Sequence, residues 1–132
     1  MTINLDNKGL KSIIENYDLF FIDLWGVVHN GVKLNEKAIE VLAKISEAKK
    51  NYILLTNAPR PNSIVKIFLE KMGMNKNMRE NVYTSGEAAL SYLKKNFLEQ
   101  SFYHIGPPRD FDLFIDFKNK KTQDISKSNY LL

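Results

Sequence analysis

The chain has 132 residues, of which 44% are hydrophobic and 26% are charged, and this balance predicts a globular domain with a sizeable core rather than a disordered chain. It contains no cysteine, which excludes disulfide bridges, thiolate metal sites and cysteine nucleophiles. The net charge of +4 comes from lysines and arginines scattered along the chain without a basic stripe or a reading motif, so we expect no nucleic-acid partner.

Residues 1–6 lack the basic and apolar pattern of a secretory leader. No apolar run approaches the roughly 20 residues that are needed to cross a bilayer. We therefore expect a cytoplasmic protein without membrane contact.

The first predicted elements are a short helix and a strand. Residues 7–17 place apolar side chains on one helical face, with Asn7 as a possible N-cap. Residues 19–22 are four consecutive apolar residues without a helical period, which predicts a strand that is buried on both faces. The strand ends at Asp23, and ligands of parallel sheets collect at such strand ends, although an aspartate there can also simply cap a turn.

A turn, a helix and a second strand follow. Asn30 and Gly31 lie between β-branched residues, which predicts a β-hairpin that forms a small flap beside Asp23. Asn35 can cap an amphipathic helix with apolar residues at three- and four-residue spacing. The run 52–56 is a second apolar strand that stops at a polar residue, Thr56, and it completes a βαβ unit.

The alternation of helices and strands continues to about residue 99. A loop with two prolines leads into a helix that stops at Gly73, and Ser85 can cap a further helix after a short strand. This alternation predicts an α/β fold with a Rossmann-like, doubly wound parallel sheet in residues 1–99. Residues 100–132 differ in character and stop where a strand begins, so we expect the front part of a longer protein.

Asp23 and Thr56 end two adjacent parallel strands, so we expect their side chains to approach one crevice. A carboxylate nucleophile and a hydroxyl that hydrogen-bonds phosphoryl oxygens suit phosphoryl transfer. Gly26 lets backbone amides come close to the same oxygens.

Three stretches, residues 20–31, 54–60 and 82–87, resemble the haloacid dehalogenase-like hydrolase superfamily. More narrowly, they resemble its class IIA branch, which includes proteins similar to nitrophenylphosphatase and pyridoxal-phosphate phosphatase. The resemblance implies a HAD-like core, followed in residues 100–132 by the start of an incomplete α/β cap. It also implies a phosphohydrolase that acts on a small phosphorylated metabolite through an aspartyl-phosphate intermediate with Mg²⁺.

The resemblance carries over to individual positions. Asp23 would be the nucleophile, and it would bind Mg²⁺ together with the backbone carbonyl of Trp25. Thr56 and Asn57 would bind the phosphate. The family usually has an aspartate where this chain has Trp25, and that aspartate protonates the leaving group and activates water, which is worth about 10²- to 10⁴-fold in rate.

The family's later lysine and acidic pair would lie beyond residue 132, so we expect this chain by itself to be weakly active or inactive. The main alternative is a non-hydrolytic phosphate-binding or regulatory module with the same fold. A receiver-type phosphoacceptor domain also uses a strand-end aspartate and threonine. The flap after Asp23 and the position of Asp23 on the first strand argue against a receiver.

Other polar residues are candidates for either a functional or a purely structural role. His29 titrates near neutrality and could replace the missing acid or contact the substrate, or it could have only a role in the flap. Arg60 and Arg109 follow prolines in loops and could contact an anionic substrate. His104 follows two aromatic residues, which favours a packed residue over a ligand.

Overall fold

The computed structural model describes residues 5–6 and 8–132. The chain forms two compact units. Unit 1 contains the chain up to Thr56 together with residues 66–82, and unit 2 contains residues 57–65 and 83–132. No helix in these described ranges is both long enough and apolar enough to span a bilayer.

The predicted N-terminal helix is two short 3₁₀ turns, Leu10–Ser12 and Ile14–Asn16. Their backbone bonds close over three residues, as between the Ile13 N–H and the Leu10 carbonyl at 3.0 Å. The predicted short helix is thus present only as separate 3₁₀ turns, whose residues are not buried and so lack the packing that stabilises a longer helix. Asn7, the predicted cap, lies outside the described residues.

Unit 1 contains the predicted βαβ arrangement. The strands β1 (Leu19–Asp23) and β2 (Asn51–Thr56) are parallel and are joined by the helix α1 (Glu36–Glu47). The side chain of Asn35 caps α1 by accepting from the Lys37 N–H at 3.2 Å, as the sequence predicts.

Strand β1 is not covered on both faces, so that prediction was wrong. The side chains of Leu19 and Phe21 are 43% and 63% exposed, whereas Phe20 and Ile22 are half-buried. The sheet order is β1-β2-β3, which makes β1 an edge strand in the described part of the chain. Its apolar run therefore has one packed face and one face open to solvent.

The remaining α/β elements keep the predicted order of helix, strand and helix, but a short helix between the first helix and the strand was not predicted. They are α2 (Asn62–Lys71), α3 (Lys76–Arg79), β3 (Val82–Thr84) and α4 (Ser85–Asn96). Helix α2 stops just before Gly73, which has a φ of 88° and takes the left-handed conformation that the predicted stop requires. The cap of α4 is Thr84 rather than the predicted Ser85, because the Thr84 hydroxyl accepts from the Glu87 N–H at 2.9 Å.

Unit 2 also contains a small sheet of two parallel strands, β4 (Phe102–Tyr103) and β5 (Tyr130–Leu131). Two 3₁₀ segments, Pro108–Lys120 and Ile125–Lys127, lie between these strands in sequence. A hydrophobic core joins α4 to this part of the chain; its buried members are Leu90, Leu93, Phe102, Phe114 and Phe117. The domain boundary at residues 99 and 100 stays a prediction.

Candidate functional site

Asp23 ends β1 with an exposed side chain. Its Oδ1 accepts a hydrogen bond from the N–H of Leu24 at 2.8 Å, and the Leu24 side chain is fully buried. This bond holds one carboxylate oxygen against the backbone of a rigid neighbour. The other oxygen, Oδ2, accepts no hydrogen bond from the described residues and belongs to an exposed side chain at the carboxyl end of β1.

The strand register brings Asp23 and Thr56 to the same edge of the sheet. Asp23 pairs with Leu55, and Thr56 is the next residue and the last of β2. Side chains alternate along a strand, so the Cβ atoms of Asp23 and Thr56 leave opposite faces. A ligand that contacts both must therefore sit beyond the strand ends, and the half-buried Thr56 and exposed Asp23 are both accessible from there.

The Trp25 position contributes an exposed ring and a backbone carbonyl. The indole is 66% exposed, and the carbonyl accepts no hydrogen bond from any residue in the described ranges. Clusters of three or more His, Cys, Asp or Glu that could hold a metal are absent from those ranges. The Asp23 carboxylate and the Trp25 carbonyl are oxygen groups of the kind that Mg²⁺ prefers, and an ion that keeps several waters needs few protein ligands.

The predicted flap after Asp23 is a tight loop and not a hairpin of two strands. Single bridges join Trp25 to His29 and His29 to Leu34, and the Gly26 N–H donates to the His29 carbonyl at 2.8 Å. Gly31 has a φ of 89°, whereas Asn30 lacks the positive φ that the predicted Asn-Gly hairpin turn also requires. The indole Nε1 of Trp25 would lie only 3.6 Å from a Cβ at Gly31, so the ring covers this turn.

His29 is buried in this loop, with 6% of its surface exposed. Its Nδ1 accepts from the Gly31 N–H at 3.0 Å, and its ring meets that of Phe68 edge to face at 5.6 Å. Burial lowers the pKa of His29, and the nearby negative charge of Asp23 only partly opposes this shift. The ring is therefore neutral at neutral pH with its proton on Nε2, which makes it a hydrogen-bond donor but a poor acid.

A cavity of about 400 Å³ lies between this loop and the start of α1. The sequence did not identify it, because its lining comes from a turn and a helix start whose approach depends on the folded loop. The lining contains two lysines and one glutamate among neutral groups: Gly26, Val27, His29, Asn30, Lys33, Leu34, Asn35, Glu36 and Lys37.

In unit 2, Arg60 is held by the segment that follows Gly106. Its guanidinium donates to the carbonyl of Arg109 at 3.1 Å and forms an ion pair with Asp110 at 3.3 Å. Its charge is thus largely compensated inside the unit, which leaves less of it for a substrate anion. Arg109 has an exposed side chain whose Nε lies 3.9 Å from the same Asp110.

Asn57 follows Thr56 and is fixed through its backbone. The hydroxyl of Ser85 donates both to the Asn57 carbonyl at 2.9 Å and to the Ala58 carbonyl at 3.1 Å. The predicted packing role of His104 fits its ring, which lies 5.3 Å from that of Phe114; both ring nitrogens are buried without a hydrogen-bond partner.

Comparison with known proteins places this geometry in a family. The model of the haloacid dehalogenase-like hydrolase family matches residues 20–117, more than half of the chain. A hydrolase of the haloacid dehalogenase-like family from Brucella suis is 28% identical in sequence and superimposes with a TM-score of 0.77, over 92% of this chain and 44% of its own. None of the curated proteins compared matches the chain.

Two phosphatases share the fold at lower identity. The 4-nitrophenylphosphatase from Thermotoga maritima is 20% identical with a TM-score of 0.69, over 90% of this chain and 45% of its own. The glycerol phosphate phosphatase from Mycobacterium tuberculosis in complex with magnesium is 22% identical with a TM-score of 0.59, over 80% of this chain and 32% of its own. The chain thus spans less than half the length of these structures. It belongs to the haloacid dehalogenase-like hydrolase family.

Proposed function

We propose that this chain carries the nucleophile half of a phosphohydrolase site, in which Asp23 attacks the phosphorus of a small phosphorylated metabolite. The observation that supports this most is the β1–β2 register. It places the exposed carboxylate of Asp23 and the hydroxyl-bearing Thr56 at the ends of two neighbouring strands, at the same edge of the sheet. The fold of the phosphatases described above supports the same reaction class.

In the proposed reaction, Oδ2 of Asp23 forms a bond to phosphorus while the bond from phosphorus to the ester oxygen breaks. The Leu24 N–H keeps Oδ1 in place and so orients the attacking oxygen. The Thr56 hydroxyl and Asn57 donate hydrogen bonds to the phosphoryl oxygens. Water then cleaves the aspartyl-phosphate, which releases phosphate and restores the Asp23 carboxylate.

Asp23 and the Trp25 carbonyl would hold Mg²⁺ at this edge. When bound, the ion neutralises charge on the phosphoryl oxygens. The remaining ligands would be water and phosphate, together with any further residues of a longer chain.

Proton transfer is the weak point of this site. The leaving oxygen departs with the electron pair of the broken bond and needs a proton, and neither the Trp25 indole nor the neutral His29 supplies one. Positioned acids and bases contribute typically about 10²- to 10⁴-fold. We therefore propose slow turnover for the chain as it stands.

A non-hydrolytic phosphate-binding module is the second candidate. It is favoured by the same two residues, because an exposed indole and a buried neutral imidazole leave phosphate binding possible without efficient turnover. Such a module would still need Asp23 and Thr56 as ligand contacts.

Hydrolysis of p-nitrophenyl phosphate with Mg²⁺ tests the proposal. Asp23→Asn removes the nucleophile, and Asp18→Asn is a matched control, since Asp18 lies just before β1 and pairs with Lys50 at 3.1 Å. We expect slow turnover that Asp23→Asn abolishes and Asp18→Asn preserves. Turnover that survives Asp23→Asn would exclude Asp23 as the nucleophile, and phosphate binding without any turnover would favour the second candidate.

A further inference from the structure

The loop after β2 is clamped by the start of α4, and this clamp has a role that neither the family match nor the sequence pattern assigns. We propose that Thr84 and Gly86 are positioning residues for the loop of residues 57–61, which begins with Asn57 directly after Thr56. The inference rests on the proposed function for its ligand, and on unit 2 alone for its geometry.

The hydroxyl of Thr84 makes two hydrogen bonds at once. It accepts from the Glu87 N–H at 2.9 Å, which caps α4, and it donates to the carbonyl of Arg60. Only 1% of the Thr84 surface is exposed, so bulk water does not compete for either bond. The same oxygen therefore ties the start of the helix to the far end of the loop.

Asn62 occupies the place where the second arm of a capping box would close. In a capping box of the Thr-x-x-Glu type, the glutamate accepts from the N–H of the threonine. Here the Thr84 N–H donates to the Asn62 side chain at 3.0 Å, and the Asn62 N–H donates to the Glu87 carboxylate at 3.0 Å. The helix cap is thus completed through Asn62, the first residue of α2, which directly follows the loop.

Gly86 lets the loop backbone lie directly against α4. A Cβ at this position would lie 2.5 Å from the carbonyl oxygen of Arg60 and 2.7 Å from its carbonyl carbon. These are backbone atoms, so no flexible side chain could move aside. The Gly86 N–H also donates to the Ala58 carbonyl at 3.2 Å, so a backbone amide at the start of α4 holds the loop.

The clamp determines which way the loop presents its peptide groups. The carbonyls of Asn57, Ala58 and Arg60 all accept bonds from residues 84–86. Because a peptide unit is planar and trans, the Ala58 N–H points away from the carbonyl of Asn57 and hence away from the clamp. The two prolines of the loop have no N–H group and fix φ, which leaves few other conformations.

Loop position in the free protein provides the first test. Amide NMR spectra are compared for the full chain and for Thr84→Val, Gly86→Ala and Thr84→Ser, with Leu55 and Tyr52 as internal references in β2. We expect large shifts or broadening in residues 57–62, in addition to those at the mutated helix start, in the valine and alanine variants, with near-wild-type spectra for the serine variant, which keeps the hydroxyl. Unchanged loop amides in Thr84→Val and Gly86→Ala would overturn the proposal.

Binding of inorganic phosphate with Mg²⁺, measured by calorimetry, provides the second test. Thr84→Val loses one hydrogen bond that fixes the loop, and Gly86→Ala forces the loop backbone away from α4, so each should raise the Kd about tenfold, whereas Thr84→Ser should keep the wild-type affinity. Wild-type affinity in both disrupted variants would contradict positioning. If the wild-type chain bound no phosphate, the proposed function would fail, and the NMR comparison would still decide whether the clamp positions the loop.

Discussion

The N–H group of Gly31 donates to Nδ1 of His29 at 3.0 Å, and this bond makes the buried imidazole an acceptor at one nitrogen. Protonation would place a second N–H against that donor and would charge a ring that water hardly reaches. The lowered pKa of His29 follows from the burial, with the Asp23 charge acting in the opposite direction.

Acid should destabilise the fold through His29. In the unfolded chain the group binds a proton near its ordinary pKa of 6.5, whereas the folded chain binds it only at lower pH. Stability should therefore fall as the pH drops from 6.5 to the lowered pKa, by at most about 1.4 kcal/mol per pH unit.

Urea unfolding at several pH values measures this effect. His29→Asn is the control, because the asparagine side chain can still accept from the Gly31 N–H but does not titrate. We expect the wild-type chain to lose stability in this window relative to His29→Asn. Parallel pH profiles for the two proteins would contradict the burial of a neutral His29.

A carboxylate at position 25 should speed hydrolysis. Trp25→Asp supplies a group that can protonate the leaving oxygen and activate water, and we expect a rise of about 10²-fold in p-nitrophenyl phosphate turnover. Trp25→Asn removes the indole equally but adds no acid, so it should leave the rate low. Equal rates for the two variants would show that general acid catalysis is not what limits this chain.

The two faces of the β1–β2 sheet should differ in their contribution to stability. Leu54 is fully buried, so Leu54→Ala should reduce the free energy of unfolding by about 2–5 kcal/mol. Phe21 is 63% exposed, and Phe21→Ala should cost less than about 1 kcal/mol. Urea midpoints at constant slope give both values, and a larger loss for Phe21 than for Leu54 would mean that this face is covered.

Local patterns predicted the βαβ unit and both strand-end residues, because a helical period, an asparagine cap and two apolar runs are each visible within a few residues. The same patterns could not show whether one or both faces of the sheet are covered by other elements. A run of four apolar residues indicates a strand, yet the exposure of Phe21 depends on whether another element packs over it.

The contacts of the loop after β2 could not be predicted from the sequence for a related reason. Thr84 and Arg60 are 24 residues apart, and their bond exists only because Gly86 lets two backbones meet. The Thr-x-x-Glu spacing of residues 84–87 was the one available signal, and it is typical of a helix start. It does not indicate what else that start holds. Likewise, the pairing of Arg60 with Asp110 depends on where residues 107–110 fold.

The central claim is that Asp23 and Thr56 contact one phosphoryl group, and ¹⁹F NMR of the chain with beryllium fluoride and Mg²⁺ tests it most directly. Beryllium fluoride binds an aspartate oxygen and stands for the phosphoryl group of an aspartyl-phosphate. We expect bound fluoride resonances in the wild-type chain, their loss in Asp23→Asn, and clearly weaker binding in Thr56→Val. Bound resonances that persist in Asp23→Asn, or that are unchanged in Thr56→Val, would contradict a shared site at the ends of β1 and β2.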